Sequence, residues 1–203
     1  MKSIHNKMII FDLLGVITTE GMWATEIVFP IVSYSNINYD LFKKKYLLYS
    51  LGLINDDDFW EYICNKKDSI LLEKKIIKKT HITPEINKII TYFKKKDFKI
   101  YLASEIPERW GKMILDKAKL TSMFDKTYFS SSVGLTKPFK KFYQYIYKDL
   151  STADIIYYID DSKINVLSAQ TNMQAQSILY SPASAINNSK EINKITELFH
   201  IIK

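Results

Sequence analysis

Met8-Ile9-Ile10-Phe11-Asp12-Leu13-Leu14-Gly15-Val16-Ile17 sets four apolar residues before a single acid, and the chain behind it stays apolar except for one glycine. A short apolar run of this kind reads as a strand buried on both faces, as in parallel sheets. Similar runs recur at 100–103, 127–129 and 155–159, with a fifth near 177–180. Helical patterns lie between and after them. Thr83 and Pro84 introduce Ile86, Ile89, Ile90 and Phe93. Pro107 introduces a face of Ile106, Trp110, Met113 and Ile114, and Pro138 one of Phe139, Phe142, Tyr143 and Ile146. Proline suits the first helical turn, where its missing N–H costs nothing. Ser162 is a candidate cap for a helix through Ile164 and Leu167, and a last helix is expected from Ser189 with Ile192, Ile195 and Phe199. Strands alternating with helices predict an α/β fold, a doubly wound, Rossmann-like parallel sheet.

Residues 18–82 break that alternation. Four aromatic-rich, helix-like stretches (23–34, 40–49, 57–64 and 69–79) follow the first strand directly. At this length they exceed a crossover helix, so the expected organisation is a core of 1–17 and 83–203 with a helical cap insertion at 18–82. Cap aromatics such as Trp23, Phe29, Tyr34 and Trp60 are candidates for a cavity wall, though residues at helical spacing are more often core.

The chain has 203 residues and a net charge of +7, but Arg109 is the only arginine among 29 basic residues. Its lysine runs (43–45, 74–75 with 78–79, and 94–96) fall among apolar residues at helical spacing, which reads as solvated helix faces rather than a nucleic-acid surface. Cys64 is the single cysteine, so no intrachain disulfide can form, and no CxxC pair points to zinc. His5, His81 and His200 lack ligand spacing. No apolar run approaches the roughly 20 residues of a membrane span, and the N-terminal apolar stretch is too short for a secretory signal. The expected compartment is the cytoplasm.

Doubly wound sheets bind ligands beyond the carboxyl ends of their strands. Asp12 follows the first strand, Ser104 the second, and Asp160-Asp161 the fourth; Lys137 comes in the region after the third. Each alone reads as a cap or turn residue. Together they make a site, in which three acids offset by one lysine match a bound Mg²⁺. With the metal and Lys137 present, an anionic phosphoryl group could approach, and Asp12 could attack as a carboxylate nucleophile.

The order Asp, Ser, Lys, Asp-Asp resembles the haloacid dehalogenase superfamily of phosphohydrolases. "IIFDLLGVI", "KIYLASEIPERW", "SSSVGLTKPFKKFY" and "IIYYIDDSKINVLSAQ" look like its four motifs, and "LYSLGLINDDDFWEYI" looks like the helical cap of the subgroup with a cap after the first motif. The resemblance implies that Asp12 forms an aspartyl-phosphate and ligates Mg²⁺, with the Leu14 backbone carbonyl as a second ligand. Asp161 would bind the metal directly and Asp160 through water or as a supporting partner. Ser104, Glu105 and Lys137 would face the substrate, Lys137 bridging the phosphoryl group to Asp12, and Asn165 would orient the acidic loop. The implied partner is a small phosphorylated metabolite. A receiver domain also phosphorylates an Asp beside Mg²⁺ and Lys, but its acid pair comes early in the chain, whereas here it comes last.

Leu14 departs from the pattern. The family's phosphatases usually carry a second Asp at this position, which protonates the leaving group and then activates water. General acid–base help of this kind is worth about 10² to 10⁴ in rate. Three readings follow. The chain is a phosphohydrolase with another proton carrier (Glu105 or Glu20) or an undemanding substrate. It is an impaired scaffold binding a phosphorylated ligand or a protein. Or it is a dehalogenase-type hydrolase, against which stands the acid pair, since those relatives dispense with metal.

Overall fold

The computed structural model describes residues 6–35, 37–64, 68–150, 152–183 and 190–203. Six parallel strands form one sheet: β1 Lys7–Phe11, β2 Lys99–Ser104, β3 Lys126–Phe129, β4 Ile155–Asp160, β5 Gln176–Tyr180 and β6 Glu191–Ile192, in spatial order β3-β2-β1-β4-β5-β6. The order turns between β1 and β4, so the crevice of a doubly wound sheet opens where those two strands end.

Alternation along β1 builds two cores. Ile9 and Phe11 point to one face and Met8 and Ile10 to the other, all buried. The second face is covered by α8 (Lys140–Asp149), through Phe142, Tyr143 and Ile146, and by α9 (Lys163–Met173), through Ala169 and Met173. The first face carries α5 (Ile86–Lys94) and α6 (Glu108–Ala118) and continues without interruption into the helices after β1.

Several local expectations need correction. Phe139 is 66% exposed, because α8 starts only at Lys140 and its inward stripe begins at Phe142. Ile164 and Leu167 are exposed, and Val166, Ala169 and Met173 form the buried side of α9. The Thr83 hydroxyl caps nothing and is buried without a partner; Glu85, in the left-handed region at φ 68°, leads into α5 instead. Ser189 lies outside the described residues. The segment after it pairs with β5, whose free edge takes it up through Leu179 N–H to Lys190 O and Ser181 N–H to Ile192 O; only a 3-10 turn, Ile195–Glu197, and the single turn α10, Leu198–Ile201, follow.

After β1 the chain forms a π-helical stretch Ala24–Val28, then α1 (Phe29–Val32), α2 (Tyr39–Ser50), α3 (Asp56–Ile63) and α4 (Ser69–Lys79). Asn38 caps α2, and Asn55 with Asp58 forms a capping box on α3. The two ends of this segment meet: Thr18 and Ile82 form an antiparallel bridge, Thr19 N–H donates to His81 O, and Thr83 N–H donates to Ile17 O. The lysine runs sit on α2, α4 and the end of α5, turned largely to solvent.

Trp110 of α6 is where these helices dock. Rings of Trp23, Tyr46, Tyr49, Phe59 and Trp60 surround it with centroids 5.3–6.1 Å away. Beneath them Glu73 of α4, buried, accepts hydrogen bonds from Arg109 Nε (2.8 Å), Arg109 Nη2 (2.7 Å) and Trp110 Nε1 (2.9 Å). Burial alone would raise the Glu73 carboxyl, but Arg109 and Trp110 outweigh it and hold it below the usual carboxylate value. The chain's only arginine is thus used to fasten α4 to α6.

Candidate active site

Asp12 leaves the end of β1 with its backbone N–H donating to Ile159 O of β4 (2.9 Å), so its side chain and that of Asp160 emerge from adjacent strand ends. Its Oδ1 accepts from Leu13 N–H (2.6 Å) and its Oδ2 faces Lys137 Nζ (2.7 Å). Lys137 arrives on the loop after α7 (Ser130–Val133), is buried, and also bonds Asp160 Oδ2 (2.8 Å). One ammonium therefore bridges two buried carboxylates.

Asp160 is fully engaged. Its Oδ2 also accepts from Tyr158 Oη (2.6 Å), and its Oδ1 accepts from Ser162 N–H (2.8 Å) and Asn165 Nδ2 (3.1 Å). The expected Ser162 cap is thus replaced by Asp160, which ties the start of α9 to the strand end. Asn165 steadies the acidic loop through the same carboxylate. Tyr158 escaped the sequence reading, although strand alternation puts it on the same side as Asp160.

Asp161 points into the loop after Asp12. A Cβ at Gly15, which has φ +73°, would stand 2.0 Å from Asp161 Oδ2, and one at Gly21 would stand 2.2 Å from it. Only glycine leaves room for this carboxylate beside Asp12. Carboxylate oxygens of Asp12, Asp160 and Asp161 all lie within 4.8 Å of one another. Clustered acids of this kind suit a hard divalent cation.

The charges respond to this crowding. Burial pushes the Asp12 carboxyl well above its usual value; Lys137 pulls it down, and Asp160 and Asp161 add to the rise. Burial and Asp160 push Asp161 up to about 6, against Lys137. Burial opposes the Lys137 charge, but Asp12 and Asp160 outweigh it and hold the ammonium protonated far above ordinary pH.

Asp12, Asp161 and Lys137 line a cavity of about 350 Å³, together with Ser104, Glu105, Leu14 and Asn165. The Ser104 hydroxyl, at the end of β2, is buried and without a partner, a donor waiting for an acceptor. Burial raises the Glu105 carboxyl, with the Thr136 hydroxyl and Lys137 working the other way. Glu20 is elsewhere: its carboxylate takes His81 N–H (3.2 Å) and lies 2.6 Å from His81 Nδ1, where the chain crosses back to the core. Of the four cap aromatics, Trp23 lines the cavity. Trp60 packs into the Trp110 cluster, Phe29 packs on Tyr39 and Phe42, and Tyr34 is 89% exposed. Tyr46 and Gly21, both lining the cavity, were missed; their sequence positions carry no signal beyond an aromatic and a glycine. A second cavity of about 630 Å³, along the seam between Asp56 and Arg109, holds none of the expected site residues.

The family model of haloacid dehalogenase-like hydrolases matches residues 9–179, from β1 through β5. The chain belongs to this family. A haloacid dehalogenase family enzyme from Bacteroides thetaiotaomicron superposes with a TM-score of 0.72 at 20% identity, covering 89% of this chain and 96% of that one. That enzyme has also been crystallised with magnesium and inorganic phosphate. A family phosphatase from Thermococcus onnurineus superposes with a TM-score of 0.68 at 19% identity, covering 97% of each chain. At these identities the family likeness is one of fold. A drimenol cyclase from Aspergillus calidoustus is 34% identical over 83 residues, and this chain spans only 16% of that protein's length. No described helix is long and apolar enough to cross a membrane.

Proposed function

We propose that this family member is a Mg²⁺-dependent phosphohydrolase acting on a small phosphorylated metabolite in the cytoplasm, through an aspartyl-phosphate on Asp12. The observation that carries the proposal is the convergence on one cavity of Asp12, the unpartnered Ser104 hydroxyl, the doubly paired Lys137 and a second aspartate, Asp161.

The donor set fits magnesium, being built of oxygen. Asp12 and Asp161 carboxylates and the Leu14 backbone carbonyl would hold it. Asp160, whose oxygens are committed to Lys137, Tyr158, Ser162 and Asn165, would act through water. When bound, the ion neutralises the carboxylates and the phosphoryl oxygens, so that an anionic substrate is not repelled. Asp12 then attacks phosphorus, the ester P–O bond breaks, and the leaving oxygen takes a proton. Ser104 donates to a phosphoryl oxygen, and Lys137 bridges that group and Asp12. In the second half-reaction water gives up a proton and attacks the phosphorus of the aspartyl-phosphate, the Asp12 oxygen–phosphorus bond breaks, and inorganic phosphate leaves with Asp12 again a free carboxylate.

Leu14 cannot move the proton. Glu105, on the cavity wall with its carboxyl raised by burial, is the available carrier, whereas Glu20 is committed to His81. Residues 18–82 are proposed as the cap, since their two ends meet at the Thr18–Ile82 bridge. Leu14 also favours a second reading, an impaired scaffold that holds a phosphorylated ligand.

Beryllofluoride with Mg²⁺, a phosphoryl mimic on carboxylates, tests the site. It should raise the melting temperature of the wild type and leave Asp12→Ala unmoved. An equal shift in both would overturn the aspartyl-phosphate. A clear wild-type shift without Mg²⁺-dependent phosphatase activity would select the scaffold.

A further inference from the structure

Beside the carboxylates one stretch of the cavity lining is apolar, and Thr25, Glu105, Ser162 and Asn165 are the polar side chains next to it. Leu14 comes from the Asp12 loop, Met22, Trp23 and Ala24 from the segment after it, and Tyr46 from α2. Trp23 is fully buried there, with its Nε1 turned away to Thr80 Oγ1 (2.8 Å). Tyr46 is packed against Trp110 and Phe42. Among the described residues Lys137 is the only cation lining the cavity, and its ammonium is already shared by Asp12 and Asp160.

This wall discriminates. A ligand carrying a second anionic group would bury it with no cation to meet it and with Glu105 nearby, a desolvation cost without return. A polyhydroxylated group would lose water on Leu14, Met22, Trp23 and Ala24, and the polar side chains left for it are partly engaged, since Asn165 already bonds Asp160 and Thr25 Oγ1 lies 3.4 Å from Tyr39 Oη. An apolar group gains by leaving water, at about 25 cal/mol per Å² buried. The volume, about 350 Å³, sits near the lower end of ordinary ligand sites and limits the organic part to a small one.

We propose that the substrate is a phosphomonoester whose organic part is small, uncharged and predominantly apolar, alkyl, alkenyl or aromatic, rather than a sugar phosphate, a nucleotide or a phosphorylated acid. This rests on the phosphohydrolase reading of the same cavity. Met22, 66% exposed at the cavity's edge, is the position where a cation would change the preference without disturbing the core.

Non-hydrolysable phosphonates separate binding from turnover. In calorimetry with Mg²⁺, benzylphosphonate should bind the wild type at least about tenfold more tightly than 3-phosphonopropionate or a dihydroxypropylphosphonate. Met22→Lys should narrow the gap to 3-phosphonopropionate. Equal affinities, or a preference for the charged or hydroxylated ligand, would overturn the proposal. Turnover assays with benzyl phosphate, a hexose phosphate and a phosphoglycerate run alongside. Hydrolysis of all three at similar kcat/KM would refute the substrate class and leave the phosphohydrolase standing. A phosphonate preference without turnover of any ester would keep the ligand class and remove the hydrolase.

Discussion

Replacing Lys137 by methionine removes one charge from between two buried carboxylates while keeping most of the side-chain volume. The ammonium stands 2.7 Å from Asp12 Oδ2 and 2.8 Å from Asp160 Oδ2. At an effective dielectric of about 20, each contact is worth about 6 kcal/mol gross, most of it offset by the cost of burying the charges. Measured losses on breaking a buried pair run at about 3–5 kcal/mol. Asp160 keeps its bonds from Tyr158, Ser162 and Asn165, so the deficit concentrates on Asp12. A loss of about 3–5 kcal/mol is therefore expected near neutral pH, a large part of an ordinary domain's stability.

The sign of the pH dependence follows from Asp12. Its folded carboxyl is raised above the unfolded value, so its contribution is complete below the unfolded pKa and is lost as pH rises through the folded one. Loss of Lys137 raises it further, so the deficit of the variant should be smallest near about pH 4–5 and widen upward. Saturating Mg²⁺ should recover part of it, about 2.7 kcal/mol at a hundred times Kd, if the acids bind the ion. Urea unfolding of both proteins at acidic and neutral pH, with chelator and with Mg²⁺, reads all three effects. A loss below about 1 kcal/mol that ignores both pH and Mg²⁺ would show that these carboxylates are not charged neighbours of Lys137.

Leu14→Asp restores a carboxylate beside Asp12, and turnover of an ester with a poor leaving group should rise by roughly 10² or more, with a smaller gain on an aryl phosphate. Folding is checked first by circular dichroism; a folded variant with no gain on either ester puts the deficit elsewhere, and wild-type turnover that Glu105→Gln abolishes would show that the proton carrier has moved there. Glu73→Gln removes the charge that Arg109 and Trp110 hold, and should cost about 1–3 kcal/mol. It should also speed hydrogen exchange in α4 relative to the central strands, as expected if the helices after β1 part from the core there; unchanged exchange and stability would mean that Trp110 alone fastens them.

The sequence determined the sheet and which polar residues stand at its strand ends. Buried parallel strands need apolar runs with no polar breaks, so five of the six are legible, with ends within one or two residues of those observed. Polar residues at the carboxyl ends of several such runs converge on one crevice, which is why Asp12, Ser104 and Asp160 were legible as a set though each alone reads as a cap or turn residue. Tertiary structure decided what depends on partners distant in the chain. β6, two residues long, pairs with the open edge of β5, a partner that the helical spacing of Ile192, Ile195 and Phe199 did not reveal. Trp23 meets its ring partner Trp110 more than 80 positions further along the chain, and that docking, not local spacing, brings the helices after β1 onto α6. The roles of the two acids at the end of β4 diverge for the same reason. Asp160 is consumed by Lys137, Tyr158, Ser162 and Asn165, while Asp161 enters a space that exists only because Gly15 and Gly21 carry no side chain. A local pattern can place a carboxylate at a strand end, but its charge, its partners and its freedom to bind follow from what the fold packs around it.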